Sequence, residues 1–409
     1  MVWVFWLSVA AVVYVYAGYP LLLRVWARLR PKPIARAPIN HQINHQSSIV
    51  NHQFPAISIV IAARNEAARL PARIDNLLSL DYPADRRQII VVSDGSTDDT
   101  LGALARYRGV VDVVAVPAGG KALALNAGVA AARHEILVYA DARQVFAPDA
   151  LRELVAPFAD PQVGAVTGEL LLDAESPCRR SGRDRRTWER RAGLRADAAD
   201  RRTEDRRLMI RSTIADGIGL YWKYEKELRR LESAIGSTLG ATGAIYAMRR
   251  SLFRPLPADT ILDDVLTPMR VVLAGHRVVF TDRAHAYDRA AADADAEARR
   301  KVRTLAGNYQ ILALEPRLLV PFVNPTWLQY LSHKLGRLAV PYAVLATFVA
   351  NIVLSGSHLF YALTLAAQVA FYLLAGIGAV LEFGARRRED IAIARSAGAP
   401  VGAVAREIA

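Results

Sequence analysis

The sequence predicts an α/β protein with membrane-spanning helices at both ends, and three observations indicate that class. Short β-forming apolar runs alternate with segments of helical periodicity through the middle of the chain. Uncharged stretches near both ends are long enough to cross a bilayer's hydrocarbon core. A hydrophobic content of 53% with positive mean hydropathy is typical of a chain that lies partly in a membrane.

The first uncharged stretch, residues 1–23, predicts a transmembrane helix. A basic cluster follows it at once, beginning at Arg24. The alternative is a cleaved signal peptide, but there the basic residues precede the apolar run and a small-residue cleavage site closes it. Neither feature is found here, so we favour an uncleaved anchor.

The second uncharged region predicts two transmembrane helices over residues 338–383, with a turn at Ser355–His358. Basic residues lie on both outer flanks, as they do after the first span. By the positive-inside rule these flanks are cytoplasmic. We therefore expect a multi-pass protein of the cytoplasmic (inner) membrane, with its central domain and a tail over 384–409 in the cytoplasm.

Residues 316–337 precede the second membrane region and carry apolar side chains with two basic residues. We predict an interfacial amphipathic helix there, with Trp327 and Tyr330 at headgroup depth. Its neighbours would be membrane lipids.

Two segments look like insertions. The linker over residues 24–55 repeats Asn-His-Gln three times, which indicates a polar tract expanded by duplication more than a metal site. Residues 175–211 carry thirteen Arg against seven acidic side chains, nearly half of the net charge of +13. Aromatic side chains are not interleaved with these Arg residues, so anionic lipid is a better partner for them than nucleic acid. The lone Cys178 excludes an internal disulfide.

The central domain spans residues 56–315. Its first part alternates strand and helix, which favours a largely parallel sheet with ligands at the carboxyl edge. The strands are expected near residues 57–61, 88–92, 110–116 and 135–139, and the helices near 66–80, 97–108, 121–133 and 221–233.

Six motifs follow one another in this domain. They are Ile61-Ala62-Ala63-Arg64-Asn65-Glu66, Ser93-Asp94-Gly95-Ser96, Gly120-Lys121 with Asn126, Asp141-Ala142-Arg143, Asp263-Asp264 and Arg300-Lys301-Val302-Arg303. Together they resemble glycosyltransferase family 2, in the branch of cellulose, chitin and hyaluronan synthases. The resemblance implies a GT-A type, Rossmann-like mixed-sheet domain and an inverting hexosyltransferase that uses a nucleotide-sugar.

The resemblance places the donor nucleotide-sugar, expected to be a UDP-sugar, along the first motifs. Ala62, Arg64 and Glu66 would border the nucleotide, and Asp94 would accept a hydrogen bond from the base or ribose. Lys121 would lie near the diphosphate. Taken alone, the Asn65 motif could equally cap a helix and the Asp94 motif could form an Asx turn. UDP-glucose and UDP-N-acetylglucosamine fit equally well.

Asp141 stands at the first position of the family's Asp-x-Asp motif and is the predicted metal ligand. Arg143 replaces the second acid. Asp141 with diphosphate oxygens and water would still hold Mg²⁺ or Mn²⁺, or Arg143 would itself contact the diphosphate.

Asp264 matches the family's general base, and Asp263 precedes it on the acceptor side. Gly243, in a run of small residues, would let the backbone approach the acceptor closely. Adjacent carboxylates repel, which raises the pKa of one towards values suited to proton transfer.

Arg303 matches the Arg that stabilises the leaving diphosphate in the processive branch. Arg300 replaces Gln on the nucleotide-sugar side, and Thr304 replaces the Trp associated with acceptor stacking. Three spans are also few for a polymer channel. A saccharide or lipid-linked acceptor, a partner subunit or an oligomer therefore all stay open.

Two alternatives compete with this reading. A polyprenyl-phosphate glycosyltransferase shares the early motifs, but Asp264 and Arg303 favour a hydroxyl acceptor. A membrane-anchored nucleotide-sugar sensor would account for the changes at Arg143 and Thr304, but a binding module needs no base such as Asp264.

Overall fold

The computed structural model describes residues 1–37, 54–172, 222–288 and 294–396. The predicted Arg-rich insertion and the repeats of the linker lie outside the described residues, as does the end of the tail. The chain divides into two compact units, one of residues 1–18 and 336–409 and the other of residues 19–335.

The larger unit is built on one eight-stranded sheet. Its strands are β1 (Ile57–Ala63), β2 (Arg87–Asp94), β3 (Val111–Val116), β4 (Ile136–Ala140), β5 (Val145–Phe146), β6 (Val163–Leu172), β7 (Ile245–Arg249) and β8 (Arg277–Asp288). Their order across the sheet is β3-β2-β1-β4-β7-β6-β8-β5. The first four of these are mutually parallel, whereas β7 is antiparallel to both of its neighbours. The sheet is therefore mixed, with one parallel half and one mixed half.

The helices that the structure describes are α1 (Val2–Val13), α2 (Tyr19–Leu29), α3 (Leu70–Leu78), α4 (Thr100–Leu104), α5 (Lys121–Ala131), α6 (Ala150–Val155), α7 (222–235), α8 (Asp263–Leu273), α9 (Ala294–Leu314), α10 (Gly336–Leu354) and α11 (Leu359–Ser396). A π-helical turn at Tyr14–Gly18 joins α1 to α2. The predicted alternation of strand and helix is confirmed from β1 to β4.

Side chains of the central strands alternate between two cores, one on each face of the sheet. Ile57, Ile59 and Ile61 of β1 enter the core that contains α3 and α6. Val60 enters the other core, with side chains of α5 and α8. Because both faces are covered, β1 reads as a continuous apolar run rather than as an alternating one.

The predicted amphipathic helix over 316–337 is not one helix. Pro316–Leu319 form a 3₁₀ turn, residues 320–326 are non-helical, and helical structure resumes at Trp327, with a π-helical stretch at Tyr330–Leu335. The physical reason is proline, since Pro321 and Pro325 lack the N–H that a helix interior requires.

The smaller unit consists of α1, α10 and α11. Phe5 of α1 packs on Ala350 and Leu354 of α10. Its ring also meets that of Tyr361 edge to face, with centroids 5.2 Å apart. Asn351 of α10 donates a hydrogen bond to Gln368 of α11 at 3.1 Å. Apolar helices thus pair through aromatic rings and one buried amide.

Three helical segments are long and apolar enough to cross a membrane: Val2–Leu29, Trp327–Leu354 and Leu359–Gly378. The predicted turn at Ser355–His358 separates the last two. Helix α11 continues to Ser396, beyond the predicted end of the second C-terminal span at residue 383. These features indicate a membrane protein.

Candidate active site

The carboxyl ends of β1, β2 and β4 bring the predicted donor-side residues to one edge of the sheet. Ala62 lies near the end of β1, Asp94 ends β2 and Asp141 follows β4. The register pairs Ala63 with Ser93 and Val60 with Tyr139, so the three residues lie at the same level. Open α/β sheets bind ligands at this edge.

Asp94 holds the loop that leads into α5. Its buried carboxylate accepts hydrogen bonds from the backbone N–H of Gly119 at 2.7 Å and of Gly120 at 3.0 Å. Gly120 has a φ of 89°, which a residue with a side chain adopts only at a cost. The alternative of a local Asx turn does not describe this carboxylate, because it binds a loop 25 residues further on, and that bond sets the position of Lys121 at the start of α5.

The Arg64-Asn65-Glu66 segment is joined to the loop after β2. The Asn65 side chain accepts a hydrogen bond from the Thr97 backbone N–H at 2.8 Å, and the Asn65 N–H donates to Ser96 Oγ at 3.1 Å. Asn65 has a φ of 55°, a left-handed conformation that Asn tolerates better than most residues. Asn65 thus bridges two loops instead of capping α3, and Arg64 is exposed beside it.

Lys121 links the donor-side and acceptor-side carboxylates. Its Nζ lies 3.4 Å from Asp141 Oδ1 and 3.4 Å from Asp263 Oδ2. Desolvation lowers the pKa of Lys121, but the nearby negative charges, led by Asp263, outweigh it and raise that pKa above its usual value. Lys121 is therefore a fixed cation between two motifs that are 122 residues apart in the chain.

Asp263 and Asp264 occupy the first turn of α8, where the helix dipole favours negative charge. Desolvation raises the pKa of Asp264 to about 6, the adjacent Asp263 adds to the rise, and Lys121 opposes it. A carboxylate with that pKa is ionised at neutral pH and is a better proton acceptor than an ordinary Asp.

Gly243 lies against the Asp264 carboxylate. A Cβ at residue 243 would stand 3.0 Å from Asp264 Oδ2, which is tighter than an ordinary contact. The backbone N–H of Ala241 also donates to the Asp264 carbonyl at 2.7 Å. The small-residue run therefore faces the predicted base, and its acceptor-side role stays a prediction.

Comparison with known proteins identifies the family of part of this chain. A family model described as glycosyl transferase family 2 matches residues 58–253. The chain contains a glycosyl transferase family 2 domain. The predicted family and enzyme class are confirmed by this match.

Two curated synthases are similar in sequence to part of this chain. A β-monoglucosyldiacylglycerol synthase of Synechocystis sp. is 37% identical over 28% of this chain and 25% of its own length. A poly-β-1,6-N-acetyl-D-glucosamine synthase of Staphylococcus aureus is 30% identical over 32% of each. The chain therefore matches between a quarter and a third of the length of these relatives.

A solved mannosyltransferase from Pyrobaculum calidifontis, in complex with GDP-Man and Mn²⁺, superposes on 90% of this chain and 92% of its own, with a TM-score of 0.62 and 23% identity. This likeness concerns the fold. It confirms the predicted GT-A type α/β architecture of the family 2 domain.

The basic motif near residue 300 lies apart from the carboxylates. Arg303 is exposed in the first half of α9, and Arg300 lies one turn before it. The second half of α9 does reach the site, because Gly307 packs on Leu262 and Gln310 accepts a hydrogen bond from the Ile261 N–H at 2.9 Å. No contact between Arg303 and Lys121, Asp141 or the Asp263-Asp264 pair is seen in the described part of the chain. Its leaving-group role stays a prediction.

Arg143 is directed towards the end of β8. Its Nε lies 3.3 Å from Asp288 Oδ2, and Gln144 donates to the same oxygen at 2.9 Å. The pair uses Nε alone, so the other guanidinium nitrogens of Arg143, whose side chain is exposed, are not engaged by it.

The structure adds two residues that sequence reasoning missed. Tyr246 of β7 is 1% exposed, stacks on Tyr139 with ring centroids 4.5 Å apart, and its hydroxyl has no hydrogen-bond partner among the described residues. Arg73 of α3 lies buried over the Phe146 ring at 4.0 Å. Burial lowers the pKa of Arg73 to about 9, and the charge of Asp141 partly opposes this. Neither residue lies in a motif, so only the fold brings them to the site.

The carboxylates of Asp141 and Asp263 are of the kind that holds a divalent metal together with a substrate diphosphate. In this structure one oxygen of each pairs with the Lys121 ammonium, so a metal would not share the position of that ammonium. Mg²⁺ is typically held by one or two carboxylates together with substrate phosphates. Within the described ranges, no group of three or more His, Cys, Asp or Glu side chains is placed to hold a metal alone. Phosphate oxygens would therefore complete the ligand set.

Proposed function

We propose that this protein is a membrane-bound inverting glycosyltransferase that moves a sugar from a nucleoside diphosphate to an acceptor hydroxyl in cell-surface polysaccharide or glycolipid synthesis. The observation that carries the proposal is the position of Asp264. It is a carboxylate of raised pKa that lies beside Gly243 and follows Asp263, whose Oδ2 is 3.4 Å from Lys121 Nζ. The names of the two curated relatives support the product class.

The donor would lie along the carboxyl edge of β1, β2 and β4. Its base and ribose would meet the Ala62, Arg64, Glu66 and Asp94 region, and its diphosphate would lie near Lys121 and Asp141. The ammonium of Lys121 would offset the charge that develops on the departing diphosphate. A metal held by Asp141 and Asp263 would supply further neutralisation of that charge.

Asp264 would remove the proton of the acceptor hydroxyl as that oxygen attacks the anomeric carbon. The C–O bond to the acceptor forms on the face opposite the bond to the diphosphate, which breaks in the same step. The configuration is inverted and the chain forms no covalent sugar intermediate. Arg303 and Arg300, both exposed on α9, would stabilise the leaving diphosphate from the other side of the donor.

The domain that carries this site would lie in the cytoplasm, with the spans at 1–23 and 338–383 holding it at the inner membrane. Support comes from the three apolar helices and from the basic residues that follow the first one. Fusing a reporter active only in the cytoplasm after residue 37 and after residue 396 tests the topology, and activity at both positions is expected.

The decisive experiment is nucleoside diphosphate release by the full chain in nanodiscs, with UDP-glucose, UDP-N-acetylglucosamine and GDP-mannose as donors. Release should require Mg²⁺ or Mn²⁺ and should be lost in Asp264→Asn. A control variant, Asp282→Asn, changes an exposed carboxylate of β8 and should be as active as the parent. Binding of a nucleotide-sugar without turnover by any variant, with any acceptor extract, would favour the sensor alternative.

A further inference from the structure

A second concave site lies beside the acceptor side of the domain, between α7 and the strands β6 and β8. Its lining contains Trp222, Lys223, Lys226 and Arg229 from α7, together with Glu169 of β6 and Phe280 of β8. The three cationic side chains are spaced three residues apart on one face of α7, and they line the pocket together with the rings of Trp222 and Phe280. The donor motifs do not use any of these residues.

Glu169, the one acidic side chain among the described residues that line this pocket, is already neutralised. Lys226 forms an ion pair with Glu169 Oε1, and His285 Nε2 lies 3.5 Å from Glu169 Oε2. Burial raises the pKa of Glu169, but its partners His285 and Lys226 outweigh this and lower that pKa, so the group is ionised at neutral pH. Lys223 and Arg229 then give the pocket an excess of positive charge.

The pocket is connected to the predicted base through two adjacent residues. Arg229 Nη1 donates to Thr242 Oγ1 at 2.7 Å, and the Thr242 backbone N–H donates to Thr167 Oγ1 at 2.8 Å. The next residue is Gly243, which lies against the Asp264 carboxylate. A molecule whose hydroxyl reaches Asp264 would therefore place its neighbouring groups near Arg229.

The opposite face of α7 packs on membrane-proximal structure. Leu228 and Leu231 share a buried cluster with Tyr19 and Leu23, which belong to the first candidate membrane span. Tyr19 also donates a hydrogen bond to Glu232 at 2.8 Å. The helix that carries the cationic residues therefore packs, on its other face, against the end of a segment expected to enter the bilayer.

We propose that this pocket binds a phosphate monoester carried by the acceptor, with Lys223 and Arg229 as its cationic contacts and Trp222 as an aromatic wall. The inference rests on the proposed function, because it assigns the acceptor of the same site to the anionic class. The phosphate is a recognition group here, and a hydroxyl of the acceptor stays the nucleophile. Both a lipid headgroup and a soluble sugar phosphate or glycerol phosphate offer this chemistry.

The test measures binding to the full chain in neutral detergent. Native mass spectrometry compares retention of phosphatidic acid and of diacylglycerol, which differ by the phosphate. Phosphatidic acid has no free alcohol hydroxyl, so it probes phosphate recognition without being an acceptor. Calorimetry follows glycerol 3-phosphate as the soluble form. The variants are Lys223→Gln and Arg229→Gln. Arg230→Gln is the matched control, because residue 230 is exposed on α7 and pairs with Glu227 instead of lining the pocket.

The parent protein should bind at least one phosphate ligand at least tenfold more tightly than diacylglycerol. Each pocket variant should weaken that binding about tenfold, as expected for loss of one charge-assisted contact, and Arg230→Gln should leave it unchanged. Binding of phosphatidic acid alone would assign the site to a lipid-borne phosphate, and equal binding of glycerol 3-phosphate would assign it to a soluble one.

Phosphate binding that is absent from the parent, or that is equal in the pocket variants and the control, would overturn the inference. Nucleotide-sugar binding measured on the same samples separates this result from failure of the proposed function. It also reports folding, because Arg229→Gln removes a hydrogen bond to Thr242. A protein that binds phosphatidic acid through Lys223 but releases no nucleoside diphosphate from any donor would contradict the transferase and leave the phosphate site standing.

Discussion

The carboxylates near the two halves of the sheet differ in hydrogen bonding and in solvation. In the parallel half, Asp94 is satisfied by two backbone N–H groups and has a structural task, holding the loop before α5. Near the mixed half, Asp264 of α8 is half-buried beside a second carboxylate, and the Tyr246 hydroxyl has no partner among the described residues. A satisfied carboxylate positions a loop, whereas a poorly solvated one is left with the basicity that proton transfer requires.

Substituting Asp264 gives the largest expected effect and tests the mixed half directly. Asp264→Asn keeps the size of the side chain but removes the base, so turnover should fall by about 10² to 10⁴-fold while nucleotide-sugar affinity is retained. Nucleoside diphosphate release and calorimetric donor binding measure the two quantities. If release persisted at the level of the Asp282→Asn control, Asp264 would not be the base.

Lys121 joins the two halves, and its loss should affect both. In Lys121→Met the carboxylates of Asp141 and Asp263 lose the cation that separates them, so donor affinity should fall about tenfold to a hundredfold. Titration of the donor against Lys121→Met and Lys121→Arg measures this. Equal affinity in Lys121→Met and the parent would show that the ammonium does not contact the diphosphate.

The pH profile distinguishes the halves without a mutation. With the pKa of Asp264 raised to about 6, the ionised base is lost as the pH falls through that value, and the rate should decline about tenfold per pH unit below it. Donor binding, which depends on the parallel half, should change much less between pH 5 and 8. A rate that is flat over this range would contradict the assignment.

The raised pKa of Asp264 also makes the stability of the folded chain depend on pH. Because the folded-state pKa of Asp264 is above its usual value of 3.8, the folded chain binds more protons than the unfolded chain between the two. Protonated Asp264 therefore contributes to the free energy of unfolding below about pH 4, and this contribution is lost as the pH rises through 6. In Asp264→Asn, the unfolding midpoint should depend less on pH across that window.

The smallest expected effect concerns the rigidity of the parallel half. Gly95 has a φ of 56°, and a Cβ there would lie 2.6 Å from Ala118, whereas Gly109 has a φ of 83° with nothing within 4 Å. Gly109→Ala should cost about 1 kcal/mol for the left-handed backbone alone, and Gly95→Ala about 3 kcal/mol because a steric clash is added. Denaturant unfolding of both variants measures the difference, and equal costs would mean that the loop after β2 adapts freely.

Local sequence patterns were sufficient for the parallel half. The apolar runs at β1, β2 and β4 are buried on both faces, and each ends at a residue of a recognised motif. Such strands can be located from the sequence alone, because both their apolar periodicity and the motif at their carboxyl end are local features. The mixed half is harder to predict from local patterns, because β7 and β8 pair with strands that are distant in the sequence.

By itself, the sequence determined the order of strands and helices up to β4, the apolar helices at both ends, and the residue types available for chemistry. Only the tertiary structure decided that Asp94 binds the backbone of Gly119 and Gly120, that Lys121 lies between Asp141 and Asp263, and that Tyr246 and Arg73 are buried nearby. The physical reason is that charge, burial and pKa depend on neighbours brought together over a hundred residues of chain, and no local pattern encodes those distances.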